Sequence, residues 1–365
     1  MRPTETDTKK VRILVVKLGA IGDIVHTLPI LPAIRRSHPE AVVSWVVEAR
    51  SAEILRGNNA IDDLIEVDTR SLRGKKLLEN GLTGGSQQLR NLRRSEFDIA
   101  IDFQGLLKSA FIAKISGSKR RWGFSRASLR EPASRVFYTD IVAVDPQTHV
   151  VRQNLDLLNG VLGIESGDHD IEFPIASSDT DVAEADAIVE KVGPRFAMLN
   201  PAGGWVTKLW PAKRYAELAD RLWDEAGLRS VVTTGPHEEP LADQILAASR
   251  SGSTIAESPS LKGFYELAKR AEIYVGGDTG PTHLAIAADT PVVGLFGPTE
   301  WWRNGSLNPD DICVERLDID CRVDCHRRTC SKWICMDIES DVVFEAVGRR
   351  LAMKSRREEA ISGGK

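Results

Sequence analysis

An α/β chain with two parallel-sheet halves is what this sequence predicts, and three features lead to that reading. Strand-length apolar runs alternate with helix-length segments from residue 11 to beyond residue 290, a pattern of βαβ units rather than hairpins. The alternation restarts after a Gly-, Asp-, Ser- and Pro-containing stretch at residues 164 to 180, so the 365 residues divide into two domains, each long enough to bury its own core. Glycine turns follow several strands and open straight into helices, as they do at the ligand-binding ends of parallel sheets.

Composition narrows the function. A formal net charge of -4 and 42% apolar residues give no basic excess, so nucleic acid is not an expected partner. No apolar run reaches the ~18 residues that a membrane-spanning helix needs. Met1 to Lys10 is polar and lacks the apolar core of a secretory leader, so a cytoplasmic location is expected.

In the first half, residues 11 to 17 form a buried-strand run, followed by the loop Leu18 to Asp23 and a periodic helix through Ser37. The loop spacing is G-x-x-G-D, so the dinucleotide fingerprint G-x-G-x-x-G is not met and Asp23 needs its own explanation. Being close to a helix start, Asp23 reads either as a functional carboxylate or as a cap. Strands are expected at residues 42 to 47 and 97 to 102, with a surface helix and loops across residues 70 to 94. After Asp102-Phe103-Gln104-Gly105 a helix runs to Ser116. The stretch Lys119 to Arg126 interleaves basic side chains with Trp122 and Phe124; it reads as a solvated turn or as a contact for an anionic ligand. A helix over residues 149 to 162 closes this half.

The second half opens with a helix and a strand over residues 195 to 200. A loop carrying Lys208 leads to Pro211, a first-turn proline for a helix over residues 212 to 226. A strand over residues 230 to 234 runs into Gly235-Pro236-His237-Glu238-Glu239 and another helix. A helix over residues 260 to 271 and a strand over residues 273 to 276 then deliver Gly276-Gly277-Asp278-Thr279-Gly280-Pro281-Thr282-His283. Glycines let the backbone turn tightly and approach a ligand, and the N–H groups of the following helix point at an anion, phosphate first. The plainer readings are Asp278 and Thr279 as caps, His283 as a packed helix histidine and Lys208 as an exposed loop lysine; Glu238 competes with Glu239 for any role. A strand over residues 290 to 296, a closing helix at 341 to 353 and a frayed tail at 354 to 365 complete the chain.

All five cysteines, Cys313, Cys321, Cys325, Cys330 and Cys335, fall in one short segment. In a reducing compartment that points to metal binding, packing or redox sensing before a disulfide framework. The last four are spaced C-x3-C-x4-C-x4-C, which is not a zinc-ribbon pattern. Nearby Asp318-Ile319-Asp320 has the form of a D-x-D metal motif, but its place after the core strands argues for coincidence.

Taken together, Lys17 to Pro29 (KLGAIGDIVHTLP), Trp45 to Glu48 (WVVE), Phe97 to Ser109 (FDIAIDFQGLLKS), Arg130 to Tyr138 (REPASRVFY), Lys208 to Pro211 (KLWP), Gly277 to His283 (GDTGPTH) and Phe296 to Pro298 (FGP) resemble the bacterial lipopolysaccharide heptosyltransferases of glycosyltransferase family 9. Each segment alone is weakly specific; in this order across residues 11 to 300 they are strongly so. The resemblance implies the GT-B arrangement, two Rossmann-like domains facing across a cleft, with the acceptor on domain 11 to 165 and the nucleotide sugar on domain 180 to 340. It also implies inverting transfer of heptose from ADP-heptose to a 3-deoxy-octulosonic acid (Kdo) residue of lipid A, with no metal and no cofactor.

By position, Asp23 takes the role of general base. Lys208, Thr279 and Gly280 would meet the diphosphate, Asp278 would hold the site or the sugar, Glu238 would reach the ribose and His283 would line the pocket. Lys108, Arg120, Arg121 and Arg126 are the candidates for the acidic acceptor, with loose peripheral attachment to the anionic inner face of the inner membrane. Competing readings are a related family 9 transferase with another donor or acceptor, a nucleotide-sugar epimerase, and a sugar-nucleotide sensor that does not catalyse.

Overall fold

The computed structural model describes residues 10–68, 92–165, 167, 170–321 and 325–363. The expectation for residues 70 to 94 therefore lies, up to residue 91, outside the described residues. The chain forms two compact units, Met1–Ala176 and Ser177–Lys365.

The first unit is a six-stranded parallel sheet of β1 (Arg12–Val16), β2 (Val42–Glu48), β3 (Asp63–Val67), β4 (Ile99–Asp102), β5 (Arg120–Phe124) and β6 (Asp140–Val142), in the order β3-β2-β1-β4-β5-β6. Its helices are α1 (Ile21–Val25), α2 (Ile30–Ser37), α3 (Leu107–Ile115) and α4 (Val150–Leu162). Ile13, Leu14, Val15 and Val16 are fully buried, the continuous apolar run of a strand covered on both faces. One helix was expected from the loop to Ser37; two form, because Pro29 lacks the N–H that would continue the first. The basic stretch expected as a turn is instead β5, an inner strand paired with β4 and β6.

The second unit repeats the plan with β7 (Phe196–Asn200), β8 (Arg229–Thr233), β9 (Thr254–Glu257), β10 (Ile273–Gly277), β11 (Val292–Phe296) and β12 (Ile312–Glu315), ordered β12-β11-β10-β7-β8-β9. Around it lie α5 (Asp179–Val192), α6 (Ala212–Ala226), α7 (Glu239–Ala248), α8 (Leu261–Ala268), α9 (Gly280–Ala287), α10 (Trp301–Asn304) and α11 (Ser340–Gly363). The frayed tail expected from residue 354 is helical almost to its end. Lys354 Nζ donates to Glu272 at 2.9 Å and Arg350 Nε to Asp311 at 2.7 Å, tying its later turns down.

Both sheets have the doubly wound order, so the crossovers change direction once in each: between β1 and β4, and between β7 and β10. At that point the loops beyond the strand ends diverge and leave a crevice, where ligands of such sheets bind. The fold thus nominates two places, and each can be read residue by residue.

Candidate functional site

At the first crevice the loop after β1 and the first turn of α1 carry Lys17 to Asp23, and the loop after β4 carries Phe103 to Gly105. A buried carboxylate ties the two together. Asp102 accepts from the Gln104 N–H at 2.8 Å, the Gly105 N–H at 3.3 Å, Ser109 Oγ at 2.8 Å and the Tyr138 hydroxyl at 2.7 Å. Burial still raises its carboxyl above the ordinary Asp value, despite those donors. The turn so held aims Gln104 Oε1 at the N–H groups of Leu18 and Gly19, at 3.0 and 3.3 Å, and the Phe103 carbonyl at Lys17 Nζ, at 2.9 Å. Gly105 is required here: its φ is +69° and a Cβ would stand 3.2 Å from Leu129 Cδ2.

Asp23 lies at the third position of α1, not at its cap. Its Oδ2 accepts from the Ala20 N–H at 3.2 Å, so the capping interaction exists, but Arg130 also grips both oxygens, at 3.1 and 3.3 Å. Burial works to raise the Asp23 carboxyl; Lys17, Arg130 and the Ala20 N–H outweigh it and hold the group below the ordinary value. Burial lowers Lys17 to about 8, against the opposing pull of Asp23. The result is a carboxylate between two cations, one buried and one half-exposed. Neither Lys17 nor Arg130 was singled out in the sequence, although both begin motifs quoted above; only their charge and their place beside Asp23 mark them.

Of the residues expected to meet an acidic acceptor, Lys108 and Arg126 lie at this carboxyl end of the sheet. Lys108, on α3, pairs with Glu48 at the end of β2 at 2.6 Å, and Arg50 reaches the same carboxylate at 2.6 Å. Arg126 is exposed just beyond β5. Arg120 and Arg121 are not brought there. They begin β5, opposite Ile99 and Ala100 at the amino end of β4. Arg120 pairs with Asp140 and lies over the Trp122 ring, while Arg121 donates to the Phe137 and Ser118 carbonyls at 2.9 and 2.8 Å. These are strand-fixing roles.

At the second crevice the loop after β7 carries Lys208 and the loop after β10 carries Asp278. Lys208 Nζ donates to Asp278 Oδ2 at 2.6 Å and to its carbonyl at 2.9 Å, and rests 4.5 Å from the centre of the Trp205 ring. Arg328 lies over the same ring at 5.3 Å. His283 Nε2 is 3.3 Å from Asp278 Oδ1. Burial would raise Asp278, but His283 and Lys208 hold it far below the usual carboxylate range. The exposed-lysine reading of Lys208 is therefore replaced by a nearly buried ion pair.

No side chain caps α9, although Thr279 occupies its N-cap. Asp278 is engaged by Lys208, and Thr282 Oγ1 turns to the Gly277 carbonyl. The first-turn N–H groups thus lie beside an ammonium, an arrangement suited to a phosphate. Glu238, beyond β8, folds back to accept from the Gly235 N–H at 2.8 Å and is half-buried, whereas Glu239 is exposed. Asp318 of the D-x-D sequence is held by Arg316 at 2.6 Å, outside either crevice.

The family profile described as glycosyltransferase family 9 (heptosyltransferase) matches residues 87–334. Lipopolysaccharide heptosyltransferase 1 of Pseudomonas aeruginosa is 31% identical over 329 residues, 88% of this chain and 87% of the relative. Its counterpart from Escherichia coli is 30% identical over 291 residues, 79% of this chain and 88% of the relative. Among solved structures, Escherichia coli heptosyltransferase WaaC with ADP-2-deoxy-2-fluoro heptose aligns with a TM-score of 0.68 and 26% identity, over 83% of this chain and 93% of that one.

Proposed function

We propose, on the premise that the chain belongs to glycosyltransferase family 9 and is a heptosyltransferase of lipopolysaccharide core biosynthesis, that it moves heptose from ADP-heptose to a Kdo residue of lipid A, with inversion and without a catalytic metal. The observation that carries this reading is the Lys17–Asp23–Arg130 cluster at the first crevice: an ionised carboxylate between cations, where an acidic sugar with a nucleophilic hydroxyl would dock.

In this reading Asp23 takes the proton of the accepting hydroxyl. A carboxylate so stabilised is a weak base, but in a step with oxocarbenium character the proton leaves late. A positioned weak base then still contributes roughly 10²- to 10⁴-fold. The half-exposed Arg130 can turn from Asp23 to the acceptor's own carboxylate, which restores basicity when the acceptor arrives. Lys17, Lys108 and Arg126 add positive charge to the same end, and the acceptor's lipid would bring the protein to the anionic cytoplasmic leaflet as a peripheral guest.

The second crevice would take the donor. Lys208, Arg328 and the N–H groups of Gly280 and Thr282 would meet its diphosphate, with Asp278 holding Lys208 ready, Glu238 reaching the ribose and His283 bracing Asp278. As ADP departs it gains negative charge, and donors fixed in advance lower that barrier without reorganising. A transfer assay with labelled ADP-heptose and heptose-free Kdo–lipid A, run in EDTA, tests the whole reading. Label is expected on the lipid with inverted anomeric configuration; label that moves only when Mg²⁺ or Zn²⁺ is restored would overturn the metal-free step. Label confined to the nucleotide sugar would overturn the acceptor.

A further inference from the structure

Trp205 carries on one ring two cations that come from distant parts of the second unit. Lys208, on the same loop, holds its ammonium 4.5 Å from the centre of the indole, and Arg328, which lies beyond β12, holds its guanidinium 5.3 Å from it. We propose, resting on the donor reading of the second crevice, that Trp205 is a positioning residue: it keeps Arg328 beside Lys208, so that the pair selects a nucleoside diphosphate over a monophosphate.

Two like charges on one ring repel each other, and the fold offsets only one of them. Asp278 takes Lys208 at 2.6 Å, while no carboxylate among the described residues pairs with Arg328. An indole is the strongest ring face for a cation, and an arginine seated on it can still donate from the rim of its guanidinium. That rim, near the Lys208 ammonium and the first turn of α9 that no side chain caps, suits the oxygens of a second phosphate.

The segment that carries Arg328 is fastened on both sides of it. The His326 N–H donates to the Pro298 carbonyl at 3.0 Å, Thr207 Oγ1 to the Arg327 carbonyl at 2.6 Å, and Trp333 Nε1 to the Thr207 carbonyl at 3.1 Å. Cys330 Sγ accepts the Trp333 N–H at 3.3 Å and closes the turn between them. Thr207 immediately precedes Lys208, so these bonds bring Arg328 to the lysine's own loop. A monophosphate can be met by Lys208 and the helix alone. Only a ligand with a second phosphate gains from both cations, and that gain is what the ring secures.

The test is calorimetric affinity for ADP and for AMP, measured on the full chain as wild type, W205F, W205L and R328M. Wild type should prefer ADP by about tenfold or more. W205L and R328M should each lose about tenfold for ADP and less than about twofold for AMP, whereas W205F, which keeps a ring face, should hold most of the wild-type ratio. In W205L/R328M the loss for ADP should be less than the two single losses combined, because the ring works partly through the arginine. Should W205L fail to fold, R328M and W205F decide the matter, since the arginine is exposed and its replacement should leave the fold intact. Equal losses for ADP and AMP in W205L, a W205F that falls as far as W205L, or an R328M that binds ADP as wild type does would each overturn the proposal and leave the donor reading standing. Wild type that binds neither nucleotide would overturn the donor reading, and the proposal with it.

Discussion

Asp23 is placed where everything charged around it favours its anion, and that sets the pH behaviour expected of the reaction. Arg130 is one of the groups holding its carboxyl low, so Arg130→Met should let it rise toward the ordinary Asp value. The acid limb of the kcat/KM profile should then move to higher pH, with a raised acceptor KM; an unmoved limb would remove Asp23 from the role of base. Lys17 sets the other side. Its ammonium titrates near 8, so affinity for an anionic acceptor should fall as pH rises through that value, and the decline should vanish in Lys17→Met. Stability moves the opposite way. Between pH 8 and 10.5 the unfolded chain holds the Lys17 proton more tightly than the folded one, so stability rises with pH across that window. Denaturant titrations of wild type and Lys17→Met should show the wild type gaining about 3 kcal/mol relative to the variant between those pH values. The buried cation is thus a cost accepted at neutral pH in exchange for a charged site.

Among the elements, β5 shows both how the crevice is supported and why sequence reading stops short. Tyr138 packs over Gly123 on β5, and a Cβ there would fall 2.5 Å from its ring. Gly123→Ala should push Tyr138 off Asp102, unsettle the Gln104 turn and destabilise the protein by about 1–3 kcal/mol, read from a lowered denaturation midpoint. An unchanged midpoint would mean that Tyr138 is not what steadies that turn. Nothing in the sequence announced this, because β5 reads as a basic turn: Arg120 and Arg121 spend their stems on strand packing and carbonyl contacts, and the apolar alternation is lost. The strands legible in advance, β1, β2, β4, β7, β8, β10 and β11, are the inner ones other than β5, and their burial on both faces writes long apolar runs. Asp63–Val67, Asp140–Val142, Thr254–Glu257 and Ile312–Glu315 lie at the outer positions of the sheets, only partly covered, and their short mixed sequences carry no such signal. The site divides similarly. Asp23, Lys208 and Asp278 follow legible strands and were singled out, while Arg130 gains its meaning from pairing with Asp23 across 107 residues and Lys17 from its burial beside the same carboxylate.

For the molecule as a whole, two separately cored units with the same strand order each present one charged crevice, so the two halves of the reaction should be separable by mutation. Asp23→Asn is expected to lower kcat by roughly 10²- to 10⁴-fold and leave ADP affinity unchanged. Lys208→Ala removes a charged donor and leaves Asp278 facing the incoming phosphates, so ADP should bind about ten- to a hundredfold more weakly by calorimetry. If the units act independently in binding, the double variant should bind ADP as Lys208→Ala does, and its losses of folding stability should add to within about 0.5 kcal/mol. Additivity is expected because Asp23 is held within the first unit, by Ala20 and Arg130, and Lys208 within the second, by Asp278. Weaker ADP binding in Asp23→Asn alone would break it. That result would mean that Asp23 helps to hold the donor-competent state, and the carboxylate would then have to be treated as a positioning group rather than as the base.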